Sequence, residues 1–202
     1  MGGVFLGFLC AVGVLGLLGR LHARRLPPSW LGLACWVLLA LTALDGLNAF
    51  LFDGGLPHLY APSTPPRLLT GLGAGLGLGL LAVPVVASVV WRVPSDEPAL
   101  ADPVELLAAL VLLGLVASLL LVAPAPLLWP AALLMLASVL AAFGLANLYV
   151  LVLATRRANH ASGLSDLAGP LVSALGLALV ELAGLSALRT YLASTYHLIW
   201  GF

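Results

Sequence analysis

Long runs of hydrophobic residues, separated by short polar segments, dominate the pattern along this chain of 202 residues. A helix needs about 20 mostly apolar residues to cross a lipid bilayer. The alternation typical of a membrane barrel strand is missing, and hydrocarbon leaves only the helix as another way to pair the backbone. The pattern therefore predicts an all-α, polytopic transmembrane bundle of about six spanning helices, at residues 2–19, 30–52, 68–91, 103–123, 127–154 and 166–188.

Proline and capping residues sharpen some of these boundaries. Asp102, Pro103 and Glu105 supply an N-cap, a proline at the first helical position and an acid at the third, which predicts the start of helix four. Pro84 lies inside helix three and is expected to kink it. The tail, residues 189–202, is aromatic and weakly polar. We expect it to lie along the membrane interface or to extend helix six.

The composition supports a membrane environment for the whole chain. Hydrophobic residues make up 62% of the sequence and charged residues 8%, whereas a soluble domain carries roughly 25% charged residues. No segment is long and polar enough for a separate soluble domain, so residues 1–202 are predicted to form one integral membrane domain. The formal net charge is zero, which argues against nucleic-acid binding. The expected partners are the lipid bilayer and either another membrane protein or further copies of the chain.

All eight basic residues are arginines, and their distribution predicts the orientation of the chain. Six of them lie in three loops on one side of the membrane, at residues 20–29, 92–102 and 155–165. The opposite side holds only Arg67 and Arg189. The positive-inside rule then places the three richer loops in the cytoplasm and both termini outside. Trp91 fits an inner aromatic belt, and Tyr60 fits an outer one.

Two carboxylates fall inside predicted spans, Asp45 in helix two and Glu181 in helix six. A charge in the bilayer is costly unless it is paired or hydrated. With the predicted bounds and orientation, both carboxylates lie roughly 10 Å below the outer interface. Asn48 follows Asp45 by one helical turn, and Arg67 and Thr70 belong to the first turn of helix three. These five side chains are therefore expected to converge at one depth in the outer leaflet.

This predicted cluster has two interpretations. As a functional site, it is a small polar pocket or proton-exchanging site that opens to the outside. As a packing device, it pairs Asp45 with Arg67, while Glu181 is either protonated or paired with Arg189. Asn147 in helix five is accounted for by a single interhelical hydrogen bond.

The third predicted helix carries a run of alternating glycines. Gly71, Gly75 and Gly79 are spaced by four and share one helix face, and Gly73 and Gly77 form a second stripe. Small residues in such stripes let membrane helices approach closely, so the run predicts helix packing. Residues 77–82 also match the nucleotide-binding pattern G-x-G-x-x-A, but that pattern requires a preceding strand and an aqueous setting.

The sequence offers little support for a metal, a cofactor or catalysis. The four histidines are scattered over different loops, and no pair has the helical spacing of a metal site. No Ser/His/Asp grouping, Walker loop or H-E-x-x-H motif is present. We therefore expect no metal and no cofactor, and we favour a protein that is not an enzyme.

The residues around the predicted cluster resemble a known family. The sequence Ala-Leu-Asp-Gly-Leu-Asn at 43–48, followed by Arg-Leu-Leu-Thr-Gly at 67–71, resembles the uncharacterised bacterial membrane family called domain of unknown function 2085. The first helix, with Gly3 and Gly7, is also similar, so the likeness covers roughly residues 1–90. Family members carry a cysteine-rich segment ahead of that helix, and this sequence begins at Met1 without it, so we expect either a truncated start or a lost site. The resemblance implies a bacterial inner-membrane protein and no particular activity.

Three functions fit these observations. The first is a non-catalytic structural or accessory membrane subunit, favoured by the glycine stripes and the scarcity of polar residues. The second is a small transporter or channel that uses Asp45 and Glu181 as coupling groups. The third is an intramembrane enzyme that acts on lipid, with one of these carboxylates as the acid or base.

Overall fold

Each predicted hydrophobic run corresponds to a helix in the computed structural model, which describes residues 2–122 and 125–196. Over these residues the chain is an all-α bundle of six helices: α1 (Gly2–Leu17), α2 (Ser29–Asp53), α3 (Thr64–Val90), α4 (Pro103–Val122), α5 (Leu128–Ala154) and α6 (Leu164–Tyr196). A 3₁₀ turn at Ala125–Leu127 precedes α5. The last five helices are long and apolar enough to cross a membrane, as expected of a multi-pass membrane protein. The first has 16 residues and ends before the predicted boundary at residue 19.

Helix α6 continues past the predicted span boundary at residue 188, which confirms the second of the two expectations for the first part of the tail. It runs for 33 residues, so the part of the expected tail from residue 189 to Tyr196 continues the helix. This segment contains no glycine or proline to stop a helix. The rest of the tail, residues 197–202, lies outside the described residues. The extension has a direct consequence for Glu181, which lies near the midpoint of α6 rather than close to its outer end.

The glycine stripes of α3 form the centre of the bundle. A Cβ on Gly75 would collide with the backbone carbonyl of Val4 in α1, and a Cβ on Gly71 would lie 3.3 Å from the Cα of Gly3. Gly79 faces α1 in the same way, at Ala11. Backbones approach this closely only where side chains are absent.

The second glycine stripe of α3 faces α2. A Cβ on Gly73 would lie 3.1 Å from Leu38, and a Cβ on Gly77 would lie 3.2 Å from Cys35. The most apolar stretch of α3 is 67% buried, compared with 11% for those of α2, α4 and α6. Helix α3 is therefore the central helix. Helices α1 and α2 flank it, while α6 packs mainly on α5.

Two short strands join the loops at one end of the bundle, and the hydrophobic pattern gave no sign of them. Strand β1 (Ala23–Arg25) pairs in parallel with β2 (Ser95–Pro98). Next to them, Trp91 forms an isolated bridge with Ala161 in the loop before α6. All three arginine-bearing loops therefore lie together at this end.

Trp91 is buried rather than exposed in an interfacial belt, with 6% of its surface accessible. Its indole Nε1 donates a hydrogen bond to the Leu21 carbonyl at 3.3 Å, and its ring lies against that of His22. Trp91 thus connects the end of α3 to the loop after α1.

The start of α4 is held by the residues that the sequence singled out. The Asp102 side chain accepts a hydrogen bond from the backbone N–H of Val104 at 3.0 Å. The Glu105 carboxylate accepts one from the N–H of Ala101 at 2.9 Å, so the two acids cap the helix reciprocally. Glu105 also accepts a hydrogen bond from Arg20 at 2.6 Å, and both side chains are 17% exposed.

We expect Glu105→Ala to lower the free energy of unfolding by about 1–3 kcal/mol, because it removes the partner of a half-buried arginine and two capping bonds. Glu105→Gln should lose less, since glutamine also serves at this capping position. Thermal unfolding in detergent, followed by circular dichroism, measures both. Glu97→Gln is the control: Glu97 is 68% exposed and 3.7 Å from Arg20, so we expect a change below about 0.5 kcal/mol. Equal losses of stability in all three variants would contradict the assignment of Glu105 as the cap of α4 and the partner of Arg20.

Candidate functional site

Asp45 is the centre of a polar site at the end of the bundle opposite the strands. It lies on α2, is 8% exposed, and its Oδ2 is 3.8 Å from the Nε of Arg67 at the start of α3. Its Oδ1 accepts a hydrogen bond from the hydroxyl of Tyr60, in the loop that joins the two helices. The Asp45 carboxylate therefore contacts both α3 and the loop between α2 and α3. The guanidinium of Arg67 balances its charge.

Asn48 fixes the same loop through its backbone. Its Nδ2 donates to the carbonyl of Tyr60 at 3.0 Å, and its Oδ1 accepts from the N–H of Leu59 at 2.8 Å. The asparagine is 3% exposed, so these bonds replace those that water would make. Together, Asp45, Asn48, Tyr60 and Arg67 form what we call the loop anchor.

Thr70 lies beside the loop anchor without joining it. Its hydroxyl donates to the carbonyl of Pro66 at 3.0 Å, within its own helix. Its backbone carbonyl accepts a hydrogen bond from the hydroxyl of Thr42 on α2 at 2.8 Å. Thr70 thus helps to set the register of α2 against α3 through its backbone.

Glu181 belongs to a different part of the bundle. Its Oε2 accepts a hydrogen bond from Nδ2 of Asn147 on α5 at 2.9 Å, and the same nitrogen lies 3.4 Å from the carbonyl of Ala174. The predicted cluster is therefore divided between two helix pairs, because α2 packs on α3 whereas α6 packs on α5. The neighbour of Glu181 is Asn147 and not Arg189.

The loop anchor holds Tyr60 in its protonated form. Its hydrogen bond to Asp45 raises the pKa of the Tyr60 hydroxyl, burial and the negative charge of Asp45 raise it further, and Arg67 opposes them. A raised pKa means that this contact still contributes its full stabilisation as the pH rises from neutral to the ordinary tyrosine value of about 10. The contact is lost only as the pH rises through the still higher value in the folded protein. Tyr60 therefore keeps its proton, and can donate it to this hydrogen bond, at neutral pH.

The geometry of the loop anchor suits structural support. Over the described residues, every buried side-chain nitrogen and oxygen has a hydrogen-bond partner. A nearby cleft of about 250 Å³ is lined mostly by apolar groups, among them Leu44, Leu47 and Pro57, and Asp45 does not line it. Within the same residues, no group of three or more His, Cys, Asp or Glu side chains could hold a metal ion.

Sequence reasoning missed two partners in these sites. Tyr60 was assigned to an aromatic belt, although a tyrosine in the loop directly after Asp45 and Asn48 is within reach of both. Asn147 was expected to make an interhelical bond, and the structure supplies its partner in Glu181. Two polar residues on adjacent helices of a hairpin, α5 and α6, are a usable signal for such a pair.

Comparison with known proteins does not identify a family for this chain. No family model, curated protein or solved structure matches the chain. The resemblance to domain of unknown function 2085 therefore stays a prediction. The residues that carry it, Asp45, Asn48, Arg67 and Thr70, all lie at the contact between α2 and α3.

Proposed function

We propose that this chain is a non-catalytic accessory subunit of a membrane assembly, and that α6 is the helix through which it binds its partner. The observation that carries the proposal is an unused face of small residues on α6. Among the residues that the structure describes, no atom of another element lies within 4 Å of where a Cβ on Gly169, Gly176 or Gly184 would stand. The glycines of α3 differ from them, because they touch α1 and α2.

The contact between α6 and α5 runs along the opposite side of the helix. It buries Leu167, Ala174 and Ala178, the last two completely. At 3.6 residues per turn, the three glycines project away from this side, together with Ser173. Leucine would serve as well as glycine against lipid tails, whereas a face of small residues lets another helix approach closely.

The polar residues support the same function. The charge of Asp45 is balanced by Arg67, and its remaining oxygen accepts from Tyr60. The transporter alternative rests on carboxylates at a common depth, and the enzyme alternative needs those two carboxylates near one another. They lie on different helix pairs instead, which favours the accessory function over both alternatives.

The proposed setting is the inner membrane of a bacterium, with both termini outside. The gathering of the three arginine-bearing loops at one end of the bundle supports this orientation, because the positive-inside rule then applies to that whole end. Membership of the resembling family is part of the same proposal.

Replacing Gly176 with leucine tests the proposed α6 contact. In native membranes solubilised with a mild detergent, we expect the wild-type chain to migrate in a complex larger than its own 20.7 kDa. Gly176→Leu should release the chain from that complex, because the larger side chain separates the two helices. Native gel electrophoresis measures the size, and two differently tagged copies show whether the partner is a second copy of the chain.

The matched control is Gly114→Leu, on α4, where a Cβ also meets nothing within 4 Å. It should leave the complex intact. A wild-type chain that migrates alone from native membranes would refute the accessory function. Equal release by both variants would refute the assignment of the contact to α6.

A further inference from the structure

A cavity of about 330 Å³ opens at the end of the bundle that carries the strands. It lies between the end of α3, the end of α5 and the start of α6. Its apolar lining comes from Val90 of α3, Val152 of α5, and Leu167 and Pro170 of α6. Its polar lining comes from Arg157, His160 and Asp166. The volume is at the lower end of the roughly 300–1,000 Å³ that is usual for ligand pockets.

The arginines at this end divide into two groups. Arg20, Arg24 and Arg25 each lie near a carboxylate of the β2 loop or of α4. Within the described residues, Arg92, Arg156 and Arg157 form no such ion pair. Of this second group, only Arg157 lines the cavity. The backbone N–H of Arg92 donates to the carbonyl of Ala161, another lining residue, at 2.9 Å.

The carboxylate that lines the cavity, Asp166, is held by hydrogen bonds from its own end of α6 and not by an arginine. Asp166 accepts hydrogen bonds from the N–H and the hydroxyl of Ser162, at 2.9 and 2.6 Å. It therefore leaves the guanidinium of Arg157 without a partner in the described part of the chain. His160 donates its Nδ1–H to the carbonyl of Ala158 at 2.7 Å, so Nε2 of the neutral ring is an acceptor and does not compete with Arg157 for an anion. Arg157 is therefore the charged side chain of the lining that is left for an anionic ligand.

The backbone brings Arg157 to this position. Helix α5 ends with Arg156 in the left-handed conformation, at φ 55°. The N–H of Arg157 then donates to the carbonyl of Val152 at 3.0 Å, which closes the helix end. Arg157 is therefore positioned by the turn that closes α5.

We propose that this cavity binds the headgroup phosphate of an anionic phospholipid, with Arg157 as its principal ligand. A guanidinium binds phosphate through two parallel hydrogen bonds. The four apolar residues suit the first carbons of the acyl chains. That apolar lining, and a position where spanning helices end, favour a lipid over a free phosphate ion. The inference is independent of the proposed contact of α6 with a partner.

The test compares lipid binding by two neighbouring arginine variants. The purified chain is titrated with phosphatidylglycerol in a neutral detergent, and native mass spectrometry measures the bound fraction. We expect Arg157→Gln to weaken the binding about tenfold, as expected for the loss of a charge-assisted contact. Arg156→Gln removes the same charge one residue away, outside the cavity lining, and should change the affinity less than twofold. Arg157→Lys should lie between them, because lysine keeps the charge without the paired geometry.

Two further titrations separate the sources of phosphate. Phosphatidylcholine, which has no net charge, should bind the wild type at least tenfold more weakly than phosphatidylglycerol. Inorganic phosphate at millimolar concentration should not displace the lipid. Equal losses in the Arg156 and Arg157 variants would overturn the cavity assignment in favour of general surface attraction. Displacement by inorganic phosphate, or no preference for the anionic lipid, would overturn the lipid assignment.

Discussion

Gly75→Ala is expected to destabilise the bundle by about 1–3 kcal/mol, the cost of overpacking a close contact. A single methyl group at this position would collide with the carbonyl of Val4, so α1 and α3 would have to move apart. In most helices the same substitution is neutral or favourable, since alanine has the better helix propensity. Whether a Gly→Ala substitution stabilises or destabilises the protein thus depends on how closely another helix backbone, here that of α1, approaches the glycine. Thermal unfolding of the purified chain in detergent measures it.

Gly114→Ala supplies the comparison. A Cβ at Gly114 meets nothing within 4 Å, so alanine should leave the stability unchanged or raise it by up to about 1 kcal/mol. Gly7→Ala, which places a methyl group against the carbonyl of Leu72 from the other side of the contact, should destabilise as Gly75→Ala does. If Gly75→Ala and Gly114→Ala have the same effect, α1 and α3 do not pack through this stripe.

Asp45→Ala is expected to release the loop between α2 and α3. It removes the acceptor for the Tyr60 hydroxyl and the partner of Arg67, and we expect a loss of about 1–3 kcal/mol. The loss is below that of a fully buried pair, because Arg67 is 40% exposed and water screens its charge. Hydrogen exchange should show faster exchange at the amides of Leu59 and Tyr60, which Asn48 now protects.

Asp53→Ala is the matched control for this experiment. Asp53 is the last residue of the same helix, and it is exposed. Its replacement should leave both the stability and the exchange of the loop unchanged. Tyr60→Phe should reproduce part of the Asp45 effect, and the two changes together should be less than additive because they remove one shared contact. Additive losses would show that Asp45 and Tyr60 act separately.

Much of the fold follows from local signals in the sequence. Hydrophobic runs predict the helices because a bilayer requires continuous apolar helices of a known length. The start of α4 was readable from Asp102, Pro103 and Glu105, since capping involves residues close in sequence. The pairing of Asp45 with Arg67 was one of two interpretations offered, and the structure has that contact.

Other features depend on contacts between residues that are distant in sequence, which a local sequence pattern does not predict. The position of Glu181 was misjudged because nothing in residues 189–196 marks where α6 meets the interface. The separation of Glu181 from Asp45 depends on which helices pack against each other, and the hydropathy pattern does not predict helix neighbours. Strands β1 and β2 have three and four residues, too few for a periodic signal, and they form because helices bring their loops together. Trp91 is buried for the same reason.

The link between Arg20 and Glu105, which are 85 residues apart, has a consequence for biosynthesis. As the chain leaves the ribosome, α1 enters the membrane before its main packing partner, α3, has been made. Strand β1 can pair only after β2 has been made, and Arg20 can form its ion pair only after the first turn of α4 has been made. The first helix is short and lined with glycine, so it gains its interhelical contacts only when α3 arrives. The main contacts of α1 can therefore form only after α3 has been made, and the link between Arg20 and Glu105 only when α4 begins to emerge.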